Sequence, residues 1–72
     1  MRAFVNSVAV DVSAGASAID CVRAWRPDEA DAVAAGARII TDSRGLPVDG
    51  GTRAQEGSIY RTVPKRHGAR SD

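Results

Sequence analysis

The chain has 72 residues, of which 43% are hydrophobic and 26% charged, and its formal net charge is +1. This length corresponds to one domain, which buries only roughly 60% of the surface that its unfolded chain exposes. The balanced charge excludes a chain built as a whole to bind nucleic acid or an anionic membrane. A single cysteine, Cys21, excludes an intramolecular disulfide and a cysteine zinc cluster, which suits a reducing cytosol.

The N-terminal segment has one basic residue and no long apolar stretch, so no secretory signal is expected. No window reaches the ~18 apolar residues that a membrane-spanning helix needs. We therefore expect a soluble cytoplasmic protein without a bound metal or cofactor.

The first twelve residues predict a β-hairpin. Apolar residues recur with a period of two over residues 3–5 and 8–12, as in strands with one buried face. Asn6 and Ser7 form the intervening two-residue turn. Asn tolerates the positive φ that such a turn requires, whereas Ser7 suits its second position less well than glycine.

A helix is predicted after this hairpin, with Ser17 as its N-cap and Asp20 completing a capping box. Its apolar stripe comprises Ala18, Cys21, Val22 and Trp25. Pro27 ends this helix near Arg26, because a proline inside a helix removes a hydrogen bond. A second short helix begins at Pro27 and ends at Gly36.

Three strands are predicted in the second half: Ala37–Thr41, the edge strand Leu46–Val48 with its Pro47, and Ser58–Val63. The order of elements predicts an α+β fold, with the main helix packed on one face of a mixed sheet of four to five strands. The predicted organisation is a domain over residues 1–63 and a flexible basic tail over residues 64–72.

Three stretches carry a recognisable pattern of turns: Phe4–Val10 with its Val-Asn-Ser hairpin, Ala14–Asp20 with its Gly-x-Ser helix entry, and Gly57–Val63 with its Gly-Ser strand entry. Over residues 2–63 the chain resembles the sulfur-carrier branch of the ubiquitin-like (β-grasp) superfamily, which serves thiamine and molybdopterin synthesis. The resemblance implies a β-grasp fold with the first and last strands adjacent and parallel at the sheet centre. The implied core is Ala3, Val5, Val10, Val12, Ile19, Val22, Trp25, Ile39, Leu46 and Ile59, although periodicity leaves open which of Ile39 and Ile40 faces inward.

Sulfur carriers end in Gly-Gly, whose carboxylate is activated within a narrow channel that admits no side chain. This chain ends in His67-Gly68-Ala69-Arg70-Ser71-Asp72, and Gly50–Gly51, its only such pair, lies in a predicted loop. We therefore expect a protein-interaction or accessory module without an activatable C-terminus. Two alternatives stay open: a carrier with a processed or atypical tail, and a β-grasp domain that binds a small ligand or nucleic acid.

The residues of this chain that could serve in catalysis are not expected to do so. Cys21 lies on the apolar stripe of the helix and is interpreted as a small core residue rather than a nucleophile. Asp42, Ser43 and His67 would be the members of a hydrolytic trio, but Ser43 lacks a nucleophile-elbow context.

A binding surface is predicted instead on the sheet face that carries no helix. Phe4 alternates with the inward Ala3 and Val5 and is expected on that face, where we also expect Tyr60 and Thr62. Exposed aromatic clusters are typical of contact surfaces. We add Lys65 and Arg66 of the basic tail as candidate contacts. The expected partner is a protein, with an enzyme of sulfur transfer or cofactor synthesis as one option, and the oligomeric state is left open.

Overall fold

A computed structural model describes residues 1–65, which form one mixed five-stranded sheet and two helices. The elements in chain order are β1 (Arg2–Val5), β2 (Val8–Asp11), α1 (Ala18–Trp25), α2 (Pro27–Ala34), β3 (Arg38–Asp42), β4 (Pro47–Val48) and β5 (Ile59–Pro64). The strand order across the sheet is β2-β1-β5-β3-β4. α1 packs on β1 and β2, and α2 packs on α1 and β3. The predicted α+β class is confirmed.

The predicted hairpin is confirmed, with β1 and β2 antiparallel and Val5 opposite Val8. Both turn residues have positive φ, 51° at Asn6 and 70° at Ser7, which is the signature of a type I′ turn. Asn enters this region readily, whereas an ordinary L-residue such as serine is strained there. Ser7 is therefore the locally unfavourable residue of the turn.

The start of α1 is fully satisfied in hydrogen bonds. Ser17 and Asp20 form the predicted capping box, in which each side chain accepts the other's backbone N–H. The two other backbone N–H groups of the first turn donate to the loop between β4 and β5. Ala18 N donates to Thr52 O at 2.8 Å, and Ile19 N donates to Gly50 O at 3.0 Å. Gly50 lies in a loop, as predicted, and the structure adds that this loop closes on α1.

The junction of the two helices lies where the sequence predicts it. Arg26 is extended (φ −151°, ψ 115°) and separates α1 from α2, and Pro27 is the first residue of α2, where its missing N–H costs nothing. Gly36 has φ 84° and follows the end of α2, so the chain can turn into β3.

β1 and β5 are parallel neighbours at the sheet centre, with Phe4 opposite Ile59 and Val5 opposite Tyr60. This confirms the pairing of the first and last strands. β5 also pairs with β3 up to Pro64, one residue beyond the predicted end, and Lys65 N then donates to Ala37 O at 3.1 Å. The predicted tail from Arg66 onward lies outside the described residues.

The core joins one face of the sheet to both helices. Its buried apolar residues are Ala3, Val5, Val10, Ala18, Cys21, Val22, Ala30, Ile40, Ala54 and Tyr60. The predicted core residues Val12, Ile19 and Trp25 are partly buried against this cluster. Ile40 fills the inward position of β3 and is 1% exposed, whereas Ile39, predicted for the core, is only partly buried.

Two further core predictions are wrong. Leu46 is 51% exposed because it lies in the turn before β4, where its N–H donates to Asp42 Oδ1. Ile59 is 47% exposed because β5 has the opposite phase to the predicted one. A shift of one residue in a strand sends every side chain to the other face.

The same phase corrects the prediction for Tyr60 and Thr62. Tyr60 is the register partner of Val5 and shares its helix-covered face, where Tyr60 is 5% and Thr62 6% exposed. The prediction that both lie on the open side is therefore wrong. The pairing of β5 with β1 places Tyr60, and not Ile59, on the covered face opposite Val5.

Candidate functional site

One side of the sheet carries no helix among the described residues, and we call it the open face. Alternation along the strands and the register between them define its members. They are Arg2, Phe4, Ala9, Asp11, Ile39, Thr41, Pro47, Ile59, Arg61 and Val63.

An apolar row crosses three strands of the open face. Phe4 is the register partner of Ala9 on one side and of Ile59 on the other. Phe4 is half-buried, and Ile59 is one of the large hydrophobic side chains with substantial exposure. Such cross-strand neighbours lie close enough to form one contiguous surface. A second apolar pair, Ile39 and Val63, lies farther along β3 and β5.

Positive charge is interleaved with these apolar groups. Arg61 lies on β5 between Ile59 and Val63, and its side chain is exposed. Arg2 is on the same face, opposite Asp11 in the register. The open face therefore offers an aromatic and an aliphatic side chain beside a guanidinium group. Aromatic residues and Arg are enriched among the residues that dominate binding at protein interfaces.

The predicted site residues are not all brought together. Phe4 lies on the open face, as predicted, whereas Tyr60 and Thr62 do not. Lys65 is exposed at the end of β5 and lines a shallow groove of about 350 Å³ between α2 and the β3–β4 pair. Arg66 lies outside the described residues.

Ile59 and Arg61 were missed as members of the open face. The signal that identifies them is the parallel register of β5 with β1, which no local pattern in β5 contains.

Thr62, the polar residue that β5 places on the covered face, belongs to a hydrogen-bond network. Asn6 Nδ2 donates to Thr62 Oγ1 at 3.0 Å, and Thr62 N donates to Asn6 Oδ1 at 3.2 Å. The Thr62 hydroxyl in turn donates to Glu29 Oε1 at 3.2 Å. Asn6 thereby continues the pairing of β1 with β5 by means of its side chain. Buried polar groups are tolerated when they are paired in this way.

Arg38 completes this network from β3. Its Nη2 donates to Thr62 O at 3.0 Å, and its Nε lies 2.7 Å from Glu29 Oε1, an ion-pair contact not directed as a hydrogen bond. The cluster links β3, β5, α2 and the hairpin turn. Its members bind one another, which indicates a structural role.

Of the residues considered for catalysis, Cys21 and Asp42 occupy structural positions. Cys21 is buried in the core, and this burial raises the pKa of its thiol, which disfavours the reactive thiolate. Asp42 closes the turn before β4 by accepting N–H groups of Arg44 and Leu46. Ser43 is exposed in that turn, and His67 lies outside the described residues.

Within residues 1–65, no group of three or more His, Cys, Asp and Glu side chains is arranged to hold a metal ion. Neither α1 nor α2, the helices of the described part, is long and apolar enough to cross a membrane.

No protein-family model, curated protein or solved structure matches this chain.

Proposed function

We propose that this chain is a small cytoplasmic β-grasp module that docks onto another protein through its open face and has no catalytic activity of its own. The observation that carries the proposal is the apolar row of Phe4 and Ile59, adjacent across the central strands and flanked by Arg61. The helices occupy the opposite side of the sheet, so this row is available to a partner.

The β-grasp assignment is supported by the arrangement of the strands and helices. The first and last strands are parallel neighbours at the centre, and both helices pack on one face. The sequence resemblance to sulfur carriers points the same way. It favours an enzyme of sulfur transfer or cofactor synthesis as the partner, with this chain as an accessory component.

The chemistry of the open face favours a protein as the ligand. A flat sheet surface with one aromatic ring offers no enclosed pocket for a small molecule. Single-stranded nucleic acid is bound by several stacking rings, and Phe4 is the only phenylalanine of the chain. An exposed aliphatic and aromatic pair beside an arginine is a suitable centre for a protein interface.

Affinity capture from the native cells tests this proposal with a matched pair of variants. Ile59→Glu places a charge in the apolar row, whereas Leu46→Glu places the same charge at an equally exposed leucine outside the open face. The exposed fractions are 47% and 51%. We expect Ile59→Glu to lose the captured partner and Leu46→Glu to retain it, with both variants folded by circular dichroism.

Chemical-shift mapping with the purified partner then locates the contact. Perturbed amides should cluster on β1 and β5 around Phe4 and Ile59. Equal retention of the partner by both variants, or perturbations confined to the helices, would refute docking through the open face.

A further inference from the structure

The two edges of the sheet differ in their capacity to pair with another strand. β4 has two residues, and Pro47 lacks a backbone N–H. β2 has four residues, Val8-Ala9-Val10-Asp11, without a proline or a lysine. Natural sheets protect exposed edges by short strands, prolines or charges. One edge of this sheet is protected in that way, and the β2 edge carries only Asp11 at its end.

The backbone groups that β2 leaves free follow from the hairpin register. Val8 and Val10 exchange hydrogen bonds with β1, since Val8 is the residue next to the two-residue turn. Val12 and Met1 continue this pattern. Val12 N donates to Met1 O at 2.9 Å, and the amino group of Met1 donates to Val12 O at 2.8 Å. The N–H and C=O groups of Ala9 and Asp11 therefore point away from β1. No other strand of residues 1–65 pairs with them.

An apolar side chain accompanies this free edge. Val8, Val10 and Val12 share the helix-covered side of β2, where α1 packs on the strand and Val10 belongs to the buried core. Val8 remains 47% exposed. A strand added to β2 would cover Val8 at the same time as it pairs the free backbone groups.

We propose that a second copy of this chain adds there, β2 against β2 in antiparallel orientation, with a two-fold axis at Val10. Ala9 then pairs with the partner's Asp11, and Asp11 with the partner's Ala9, so that every outward backbone group of both strands is satisfied. Val10 meets the partner's Val10, and Val8 meets the partner's Val12. These β-branched pairs form a continuous apolar line across the axis.

Charge and the position of the hairpin turn select this register over its neighbours. An axis at Asp11 would place two carboxylates directly opposite one another, which is destabilising. An axis at Ala9 would leave Asp11 opposite the partner's Ser7, which belongs to the turn and not to a strand. With the axis at Val10, each Asp11 lies opposite a small side chain and keeps its own Arg2 as its cross-strand neighbour.

The dimer has a consequence for binding. Because the axis is perpendicular to the sheet, the open faces of both copies lie on the same side of one continuous sheet. A partner with two docking segments would gain avidity from this arrangement. The interface rests on one short strand per copy, so the association is weak and depends on concentration.

Sedimentation equilibrium combined with amide exchange tests the dimer. As the protein concentration is raised from dilute solution to about 1 mM, we expect the average mass to rise from that of the monomer towards that of the dimer. Over the same range the amides of Ala9 and Asp11 become protected, while the amide of Val10 is protected throughout.

Two variants are directed at the edge. Ala9→Pro removes an outward N–H and leaves the bonds to β1 in place, and Val8→Lys removes the apolar contact. Both should stay monomeric and folded. Two control variants should dimerise as the unaltered chain does. Leu46→Lys changes an equally exposed residue beside the opposite edge strand, β4, and Ile59→Glu changes the open face.

A monomer at all concentrations, or equal exchange of the Ala9 and Asp11 amides in dilute and concentrated samples, would overturn the proposal. A dimer that Ile59→Glu dissociates and Val8→Lys does not would assign dimerisation to the open face instead. Loss of partner capture by Ile59→Glu with the dimer intact separates this inference from the docking function.

Discussion

The two faces of the sheet show that apolarity does not decide which side a residue takes. In β5 the threonine Thr62 is 6% exposed on the covered face, while Ile59 is 47% exposed on the open face. The covered face accepts a polar residue because Asn6 and Glu29 satisfy its hydroxyl. Burial of apolar residues is a one-way rule, since folded proteins always retain apolar surface. The exposed isoleucine beside Phe4 is therefore the informative feature of β5.

This difference separates the consequences of mutation. Substitutions on the covered face should cost folding free energy, because they remove packing or leave a buried polar group unpaired. Substitutions on the open face should leave stability nearly unchanged and affect binding.

The largest expected effect contrasts the adjacent residues Ile40 and Ile39 of β3. Ile40→Ala removes a fully buried side chain and should lower the free energy of unfolding by about 2–5 kcal/mol. Ile39→Ala acts on the open face, where the side chain is only partly buried, and should cost about 1 kcal/mol or less. Urea unfolding measures both. Equal losses in the two variants would show that the two faces are not distinct at β3.

A smaller effect is expected from the two buried threonines. Thr62→Val keeps the shape of the side chain and removes the hydroxyl that joins Asn6 to Glu29, which should cost about 1–3 kcal/mol. Thr41→Val is the control. Thr41 is also buried, but its register partner is Arg61 and it lies outside that network. We expect a change within about 0.5 kcal/mol for the control in urea unfolding. A neutral Thr62→Val would mean that the network adds no stability.

The elements that could be predicted from the sequence are those specified by neighbouring residues. The hairpin turn, the capping box of Ser17 and Asp20 and the break at Pro27 each depend on residues within a few positions. The phase of β5 could not be predicted, because it is set by pairing with β1 at the other end of the chain. The Asn6–Thr62 hydrogen bond joins residues 56 positions apart. Phe4 can be placed on the open face from the alternation of its own strand, whereas the placement of Ile59 and Arg61 depends on that pairing.

A substitution in the hairpin turn is expected to raise the free energy of unfolding. Ser7 has φ 70° and should be relieved by Ser7→Gly, with a gain of about 0.5–1 kcal/mol. Asn6→Gly also relaxes the backbone, but it removes the two hydrogen bonds to Thr62 on the covered face, so we expect a net loss. Thermal and urea unfolding compare the two. A gain in both variants would indicate that the Asn6 side chain contributes no stability to the covered face.

The smallest expected effect concerns Asp42, at the end of β3 where the covered face gives way to an exposed turn. The backbone N–H of Leu46, and next to it Arg44, hold the pKa of this carboxyl below its ordinary value of 3.8. A lowered pKa in the folded state means that the ionised form stabilises the fold above pH 3.8, and that this contribution is lost as the pH falls through the lower, folded-state value.

Asp42→Asn keeps an oxygen that can accept the same N–H groups but cannot titrate. The difference in unfolding free energy between the unaltered chain and the variant should therefore shrink as urea unfolding is repeated from neutral to strongly acidic pH. Asp20 titrates with a lowered pKa in both proteins, since the N–H of Ser17 is present in each, and its contribution cancels in the difference. Parallel pH profiles would show that the Asp42 carboxylate is no better bound in the folded chain than in the unfolded one. In that case the side-chain oxygen of residue 42 holds the turn equally well with or without its negative charge.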